Sequence, residues 1–407
     1  MKRALALVFL PALVTLGCGS AKINHGTGGN GPVTNPSGGA GGSGSGGGSG
    51  GGNGSGGGGP CTATDPNVDS DGDGYTPAMG DCDDCNPTVN PGAIEVAGNM
   101  QDDDCNGMID EAQPTCDSAN GGKTDAASLA QSLELCDSRF LKSSATAGPS
   151  DMRARIVTSK FGTVVAPQAG ANMALMSTGL AVDKSSSSFV EPQEGTDLSN
   201  TGTNPLPSLQ GASNCGTGGS VTKVQDYTEV TLQLHAPTNA NSFSFQFQFF
   251  SAEYPEFVCT DYNDEFLVIV QSSKTYTTAT NISFDAKKNP ITVNSGFFIV
   301  CQNGSTAQTM NCTQPVTAIA GTGFDDDDGT GEPIGGSTGW LTTTAPIAPG
   351  EDITLRFVIF DEGDGIYDSS ALIDNFQWGA MSVTGPTTGP IGYRTTRHHH
   401  APLVCQG

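Results

Sequence analysis

Hydrophobic and polar positions alternate along most of the chain after residue 140, and this period of two predicts short β-strands. The clearest case is 242–250, where Phe stands at every second position between Ser and Gln, so one face is aromatic and the other polar. Gly, Asn, Asp and Pro punctuate the apolar runs, as in antiparallel sheets. The other predicted strands are 155–157, 172–176, 221–224, 229–234, 265–270, 291–300, 353–360 and 371–378.

A helical spacing occurs once, at 126–135, where apolar residues stand at positions 126, 129, 130, 133 and 135. The pattern therefore predicts a mainly β fold, an antiparallel β-sandwich of jelly-roll type with one short N-terminal helix.

Composition and charge limit the possible partners and cellular compartments of the protein. With 42 acidic side chains against 17 Lys plus Arg, the net charge is −25, which argues against nucleic acid as a partner because phosphate binding needs basic patches. Twelve cysteines in such a chain indicate an oxidising compartment.

The N-terminus predicts export. Lys2 and Arg3 precede an apolar run at 4–16 that is too short to span a bilayer. The segment 15–20 resembles a bacterial lipobox, in which Cys18 would be lipidated and become the anchor. An ordinary cleaved leader is the alternative. In that lipoprotein pattern, Gly instead of Asp after the cysteine implies the outer membrane.

Residues 19–60 are dominated by Gly and Ser, a composition that stays a disordered tether because it has too little apolar surface to bury.

An acidic module follows the tether at 61–115, where no Lys or Arg occurs. Residues 69–74 read D-x-D-x-D-G and residues 102–107 read D-x-D-x-N-G, so alternate oxygens surround a turn that Gly permits. Ca²⁺ takes six to eight oxygen ligands in such loops. We therefore predict Ca²⁺ as the bound ion, although a solvated acidic face is the alternative. The candidate ligands are Asp69, Asp71, Asp73, Tyr75, Asp81, Asp83, Asp84, Asp102, Asp104, Asn106, Asp110 and Glu111.

The same stretch resembles the MopE-type metal-binding motif of exported bacterial proteins. The matching elements are 69–76, 80–84, 90–95 and 102–111. That family has a copper association, but hard carboxylates at this spacing favour Ca²⁺. The cysteines at 61, 82, 85 and 105 allow three disulfide connectivities. Zinc at the C-x-x-C of 82–85 would need a second ligand pair, and none is near.

Residues 116–380 resemble the choice-of-anchor L family of bacterial surface domains. The resemblance rests on four blocks in order: the opening helix between Cys116 and Cys136, the L-M-S-T-G at 175–179, the segment 243–266 with A-E-Y-P and Y-N-D, and the segment 340–378 with F-D-E-G-D and Y-D-S. The family implies a cell-surface protein attached by one of several anchors, but no biochemical activity.

The acids of these blocks predict a second metal site, because strand-end loops of a sandwich can meet at one edge and clustered carboxylates repel one another unless neutralised. Capping by loop backbone amides is the alternative. The candidate ligands are Glu253, Asn263, Asp264, Asp361, Asp364 and Asp368.

The remaining cysteines predict disulfides in the main domain. Cys301 and Cys312 flank a short polar insert, and Cys215 with Cys259 is the next expected pair. Cys116 and Cys136, which bracket the helix, are also candidates.

No nucleophile–base motif, zinc-protease motif, P-loop or dinucleotide fingerprint occurs, so we expect no enzyme. The predicted function is a calcium-binding surface lipoprotein that adheres to an extracellular glycan or protein, with Tyr254, Tyr262, Trp340 and Tyr367 as candidate platform residues. The alternatives are a structural envelope or coat lipoprotein and a glycoside hydrolase using Glu253 and Asp364.

The predicted domain organisation has five parts: the leader at 1–18, the tether at 19–60, the acidic module at 61–115, the β-sandwich at 116–385 and the tail at 386–407.

Overall fold

The computed structural model describes residues 61, 65–149, 152–209, 222–260, 262–301, 312–327 and 333–391. The leader with Cys18, the 19–60 tether, Cys215 and residues 392–407 of the tail lie outside them. The strands are β1 (Leu141–Ala147), β2 (Arg155–Thr158), β3 (Met173–Ser177), β4 (Thr201–Thr203), β5 (Lys223–His235), β6 (Ser242–Ser251), β7 (Glu265–Ser272), β8 (Thr280–Asn281), β9 (Ile291–Thr292), β10 (Val300–Cys301), β11 (Gln314–Pro315), β12 (Asp326–Asp327), β13 (Pro333–Ile334), β14 (Gly336–Ser337), β15 (Leu341–Pro346), β16 (Asp352–Asp361), β17 (Ser369–Gly379) and β18 (Thr387–Pro390). Helix α1 is Ala126–Gln131, and 3-10 turns occupy Pro77–Met79, Met152–Ala154 and Val316–Ile319.

The strands form two large sheets. The first has the order β1-β5-β16-β7-β8, with β4 on β5 and β9 on β7. The second has the order β11-β10-β14-β6-β17-β3-β2, and β15 joins it beside β6 and β18. Strands β10 and β11 run parallel, whereas the central pairs are antiparallel. The predicted mainly β sandwich is confirmed.

The core lies between the sheets and is built on the aromatic face of β6. Phe245 meets Phe357 of β16 edge-on with ring centroids 5.2 Å apart. Phe247 lies 5.2 Å from Phe266 of β7. These contacts join the two sheets, because β6 belongs to the second sheet and both partners belong to the first.

Strand register brings four chain segments to one end of the sandwich. In the first sheet Phe360 pairs with Glu265, so β16 ends where β7 begins. In the second sheet Ser369 pairs with Ser251, so β17 begins where β6 ends. We call this end of the sandwich the loop end, and it carries most of the acids predicted to form the second metal site.

Helix α1 is shorter than the predicted 126–135. It begins where the Asp125 carboxylate accepts the Ser128 amide proton at 3.0 Å, a normal N-cap. It stops after Gln131, and Glu134 adopts a left-handed φ of 61°. Leu133 and Leu135 are still buried, so the helical spacing identified core residues beyond the helix itself.

The prediction of one continuous strand at 291–300 is wrong for the middle of this segment. Only its two ends, in β9 and β10, pair with other strands. Between them the Ser295 amide donates to the Thr292 carbonyl, which makes a turn. Phe298 then enters the core and stacks on Tyr254 with ring centroids 4.6 Å apart. Burial of an aromatic side chain thus replaces strand pairing in this segment.

Candidate metal centres

The first acidic loop of the module gathers Asp69, Asp71 and Asp73, each offering an oxygen within 4.8 Å of the others. Both oxygens of Asp69 and one oxygen of Asp71 accept amide protons of the loop backbone. The Asp69 carboxylate accepts the amide protons of Gly72 and Gly74 at 2.6 and 3.0 Å. Gly74 has φ 97°, a conformation that favours glycine. The tight turn therefore aims alternate carboxylates at one point.

Two further acids extend this first group. Asp81 and Asp84 are buried, and each has an Oδ2 without a hydrogen-bond partner among the described residues, as does Asp71. Burial raises the pKa of Asp71 to about 6, and the nearby carboxylates of Asp73 and Asp81 add to the shift. A cation would relieve this repulsion. Asp81 thus lies where the sequence predicts a closing ligand.

The second group consists of Glu95, Asp104 and Glu111, whose ligand atoms also lie within 4.8 Å of one another. Glu95 was absent from the predicted ligands, although it closes the third element of the motif. Its carboxylate accepts the amide protons of Asp103, Asp104 and Asp110 at 2.7–3.2 Å. The spacing within the D-x-D-x-N-G loop could not identify Glu95 as a ligand, because Glu95 stands before that loop.

The remaining predicted ligands of the module have other contacts. Asp102 and Asp110 accept loop amides, and the Asn106 side chain donates to Glu111. The Tyr75 amide donates to Asp73 at 2.7 Å. The Asp83 amide donates to Asp81 at 2.9 Å. These residues shape the two acidic groups.

Disulfides fix the module. Cys61 pairs with Cys85 and Cys82 with Cys105. The two halves of the C-x-x-C sequence therefore have different partners, so neither thiolate is available for zinc or redox chemistry. In the main domain Cys116 pairs with Cys136 and Cys301 with Cys312, as the sequence predicts. Cys259 is disulfide-bonded, and its predicted partner Cys215 lies outside the described residues.

The module sits directly on the sandwich. Ile94 is buried in the main hydrophobic core. The Asn239 side chain accepts the amide proton of Ile94 at 3.0 Å and donates to the carbonyl oxygen of Ile94 at 2.8 Å. Arg139, just before β1, forms a 3.1 Å ion pair with Asp104 of the second acidic group. The module and the sandwich therefore share contacts at an acidic group.

The loop end of the sandwich holds a larger and more deeply buried set of acids, which we call the inner acidic cluster. Of the six predicted ligands, Glu253, Asp264, Asp361 and Asp368 belong to it. Asp364 does not, because it is partly exposed and accepts the Ile366 amide at 3.2 Å. Asn263 is buried and accepts the Asn294 side chain at 2.7 Å. The cluster comprises Asp226, Glu253, Asp264, Glu265, Asp361, Glu362 and Asp368.

Three members, Asp226, Glu265 and Glu362, were missed by sequence reasoning. Glu265 opens β7, Glu362 follows β16 directly, and Asp226 lies within β5. Each resembles a solvent-facing acid in the sequence. Glu265 had a signal: it opens a strand whose next five residues are all buried, and the structure buries Glu265 as well. An acid joined to a strand buried on both faces is itself a candidate for burial.

Burial and mutual repulsion perturb the cluster strongly. Burial raises the pKa of Asp264, Glu265 and Asp361 well above their usual ranges, and neighbouring carboxylates add to each shift. Burial also raises the pKa of Glu253 and of Asp368 to about 8. Within the described part of the chain no Lys, Arg or His lies at ion-pair distance from these seven acids.

The predicted aromatic platform is only partly realised. Tyr254 is buried, with 6% of its surface exposed, so it belongs to the core. Trp340 and Tyr367 are both partly buried against a second apolar cluster. Tyr262 is 39% exposed, and Phe257 lies 5.4 Å from its ring and 5.0 Å from that of Tyr367. The aromatics available to a ligand are therefore at the loop end.

Comparisons with known proteins give two family matches. No curated protein matches the chain significantly. A crystal structure of the K2 cleaved adhesin domain of Lys-gingipain is similar at 11% identity and a TM-score of 0.23, over 58% of this chain and 88% of that one, which is too distant to carry an argument. Residues 81–111 match the MopE-type family described as "Putative metal-binding motif". Residues 168–377 match the Choice-of-anchor L domain. Since this second match spans more than half of the 407 residues, the chain belongs to the choice-of-anchor L domain family.

Proposed function

We propose that the chain is a non-catalytic, lipid-anchored surface protein of the outer membrane. In this proposal its acidic module binds Ca²⁺, and the loop end of its sandwich binds an extracellular glycan or protein. The observation that carries the proposal is the pair of acidic groups in the module, each with three ligand oxygens within 4.8 Å. Membership of the choice-of-anchor L family supports a cell-surface location.

The donor set favours Ca²⁺ over softer metals. Both groups offer carboxylates alone, and the four module cysteines are used in disulfides. Hard, oxygen-rich sites suit Ca²⁺, whereas copper and zinc prefer sites with nitrogen or sulfur donors. No His lies between residues 61 and 115.

The proposed binding surface consists of apolar residues of the loop end, two of them exposed (Tyr262 and Ile366) and two partly exposed (Phe257 and Tyr367). We call Phe257, Tyr262, Ile366 and Tyr367 the aromatic edge. Ile366 is 51% exposed and follows directly on the acidic segment that leaves β16. Exposed aromatic rings contribute large contact area to carbohydrate and protein ligands at a low entropy cost.

Loss of the aromatic edge should abolish binding. We expect the exported chain to bind members of a glycan array or surface proteins in Ca²⁺. Tyr262→Ala combined with Tyr367→Ala should weaken that binding at least tenfold, because both rings that pack on Phe257 leave the surface. Met381→Ala, which removes an 82% exposed side chain elsewhere, is the matched control and should bind as wild type. Equal binding by the double variant would exclude the aromatic edge.

Burial supports the non-catalytic interpretation. Glu253, the candidate acid of a glycoside hydrolase, is 2% exposed and accepts the Asp264 amide at 3.0 Å. A glycosidase carboxyl must reach the glycosidic oxygen. A purely structural envelope lipoprotein remains the rival function, and it predicts no saturable ligand in the binding experiment.

The anchor is tested at Cys18. Among the described residues no helix combines the length and hydropathy needed to cross a bilayer. If lipid on Cys18 supplies the membrane affinity, Cys18→Ala should move the protein from the outer-membrane fraction to a soluble exported fraction. Fractionation followed by immunoblotting measures this, with Cys405→Ala as the matched cysteine control. A Cys18→Ala protein that stays with the membrane would show a different anchor.

A further inference from the structure

We propose that the sandwich itself binds a Ca²⁺ ion, inside its loop end, with Asp264, Asp361 and Asp368 as ligands and Asp226 and Glu253 as neighbouring oxygen donors. This inner site goes beyond the proposed function, in which Ca²⁺ is bound by the acidic module. It would be an internal brace of the fold beneath the aromatic edge.

Unpartnered buried oxygens point to a missing positive charge. Asp361 is 1% exposed, and neither of its carboxylate oxygens has a partner with hydrogen-bond geometry among the described residues, although the Thr178 and Asp264 side chains lie beside it. The same holds for both oxygens of Glu265, for Oδ1 of Asp264 and for Oδ2 of Asp226. Buried polar groups in folded proteins are almost always paired, and buried carboxylates especially so.

Two of these carboxylates, Asp264 and Asp226, are held in place by their other oxygen. Ser369 Oγ donates to Asp264 Oδ2 at 2.6 Å, which leaves Oδ1 free. The Leu198 amide donates to Asp226 Oδ1 at 3.1 Å, which leaves Oδ2 free. Orientation of one carboxylate oxygen while the other stays available is the arrangement that outer contacts give to metal ligands.

A glycine makes room for the third ligand. A Cβ atom on Gly179 would lie 1.8 Å from Oδ2 of Asp368. The Thr196 amide donates to the other oxygen of Asp368 at 3.2 Å. The L-M-S-T-G block thus ends in a glycine because the Asp368 carboxylate occupies the space of its side chain.

The chemistry of the cluster selects a hard divalent ion. All seven acids offer oxygen, and no His or Cys belongs to the cluster. A proton neutralises one carboxylate, whereas Ca²⁺ neutralises two and accepts six to eight oxygens. Among the described residues, three acidic ligand atoms within 4.8 Å of one another occur only in the module. An ion in the inner site would therefore draw its carboxylates together.

The test counts ions on the whole exported chain by calorimetric titration with CaCl₂. We expect Asp361→Asn to bind one Ca²⁺ fewer than the wild type. Glu351→Gln is the matched control, because Glu351 is also fully buried but its carboxylate is hydrogen-bonded to Thr275, Lys274 and Ala348. Its ion count should equal that of the wild type.

A module variant separates this inference from the proposed function. Asp71→Asn with Glu95→Gln should lose the module ions and keep the inner one, and chelator should still lower the melting temperature of its sandwich. If Asp361→Asn does not fold, this chelator measurement decides alone. The inner site would be excluded if folded Asp361→Asn binds as many Ca²⁺ ions as the wild type. It would also be excluded if chelator does not change the melting temperature of the module variant. A module variant with a wild-type ion count would instead count against the proposed module sites.

Discussion

Removal of Ca²⁺ should loosen the acidic module of the full chain. Without a cation, Asp71, Asp81 and Asp84 keep buried oxygens that repel one another and have no hydrogen-bond partner among the described residues. An ion present at a hundred times its dissociation constant stabilises the bound state by about 2.7 kcal/mol, and chelation removes that contribution. Amide hydrogen exchange across residues 65–111, with and without chelator, measures the effect.

The disulfides limit how far the module opens. Cys61–Cys85 encloses the first acidic loop and Cys82–Cys105 anchors the start of the second, so we expect faster exchange in the loops and no release of the segment. Loss of order should reach the sandwich surface, because Arg139 pairs with Asp104 and Ile94 is part of the core.

Single variants localise the effect. Asp71→Asn should reproduce the loosening of the first loop in Ca²⁺, and Glu95→Gln that of the second. Asp65→Asn is the control, because Asp65 is exposed and, among the residues that the structure describes, its side chain accepts only from Asn67. Exchange rates that chelator leaves unchanged throughout 65–111 would contradict Ca²⁺ binding by the module.

The sequence predicted those strands in which the alternation of hydrophobic and polar residues reflects burial. The alternation at 242–250 identified β6, because each of its alternate phenylalanines is fully buried. Strands β1 and β15 were missed. Their sequences, L-K-S-S-A-T-A and L-T-T-T-A-P, carry few large apolar residues, and pairing with β5 and with β6 holds them in place. Strands of this kind depend on neighbours that local sequence does not reveal.

The acidic groups show the same difference between what local sequence reveals and what depends on distant strands. In the first module loop, spacing alone placed Asp69, Asp71 and Asp73 correctly, since a six-residue turn brings them together. The inner acidic cluster joins residues more than 130 positions apart, such as Asp226 and Asp361, through the register of β5 and β16. The sequence nominated four of its seven members, Glu253, Asp264, Asp361 and Asp368, as acids of strand-end loops. It could not show that they are buried or that Asp364 stays outside.

Truncation of one β6 phenylalanine should have the largest effect on the sandwich. Phe245 is fully buried and touches Phe243, Phe247 and Phe357, so it contacts both sheets. Phe245→Ala should lower the free energy of unfolding by about 3–5 kcal/mol, through lost transfer energy and a cavity that the two sheets cannot fill. Chemical denaturation in saturating Ca²⁺ measures the loss while the ion sites stay loaded.

The neighbouring Ser244→Ala supplies the control. Ser244 lies on the same strand but on its other face, is partly exposed, and pairs with Thr344 and Gln377 through the backbone alone. Its replacement should change the free energy of unfolding by less than about 0.5 kcal/mol. If Phe245→Ala costs no more than Ser244→Ala, the aromatic face of β6 does not bridge the two sheets. A large cost for Phe245→Ala with an unchanged Ca²⁺ count would show that the core holds the sheets together independently of the acidic loop end.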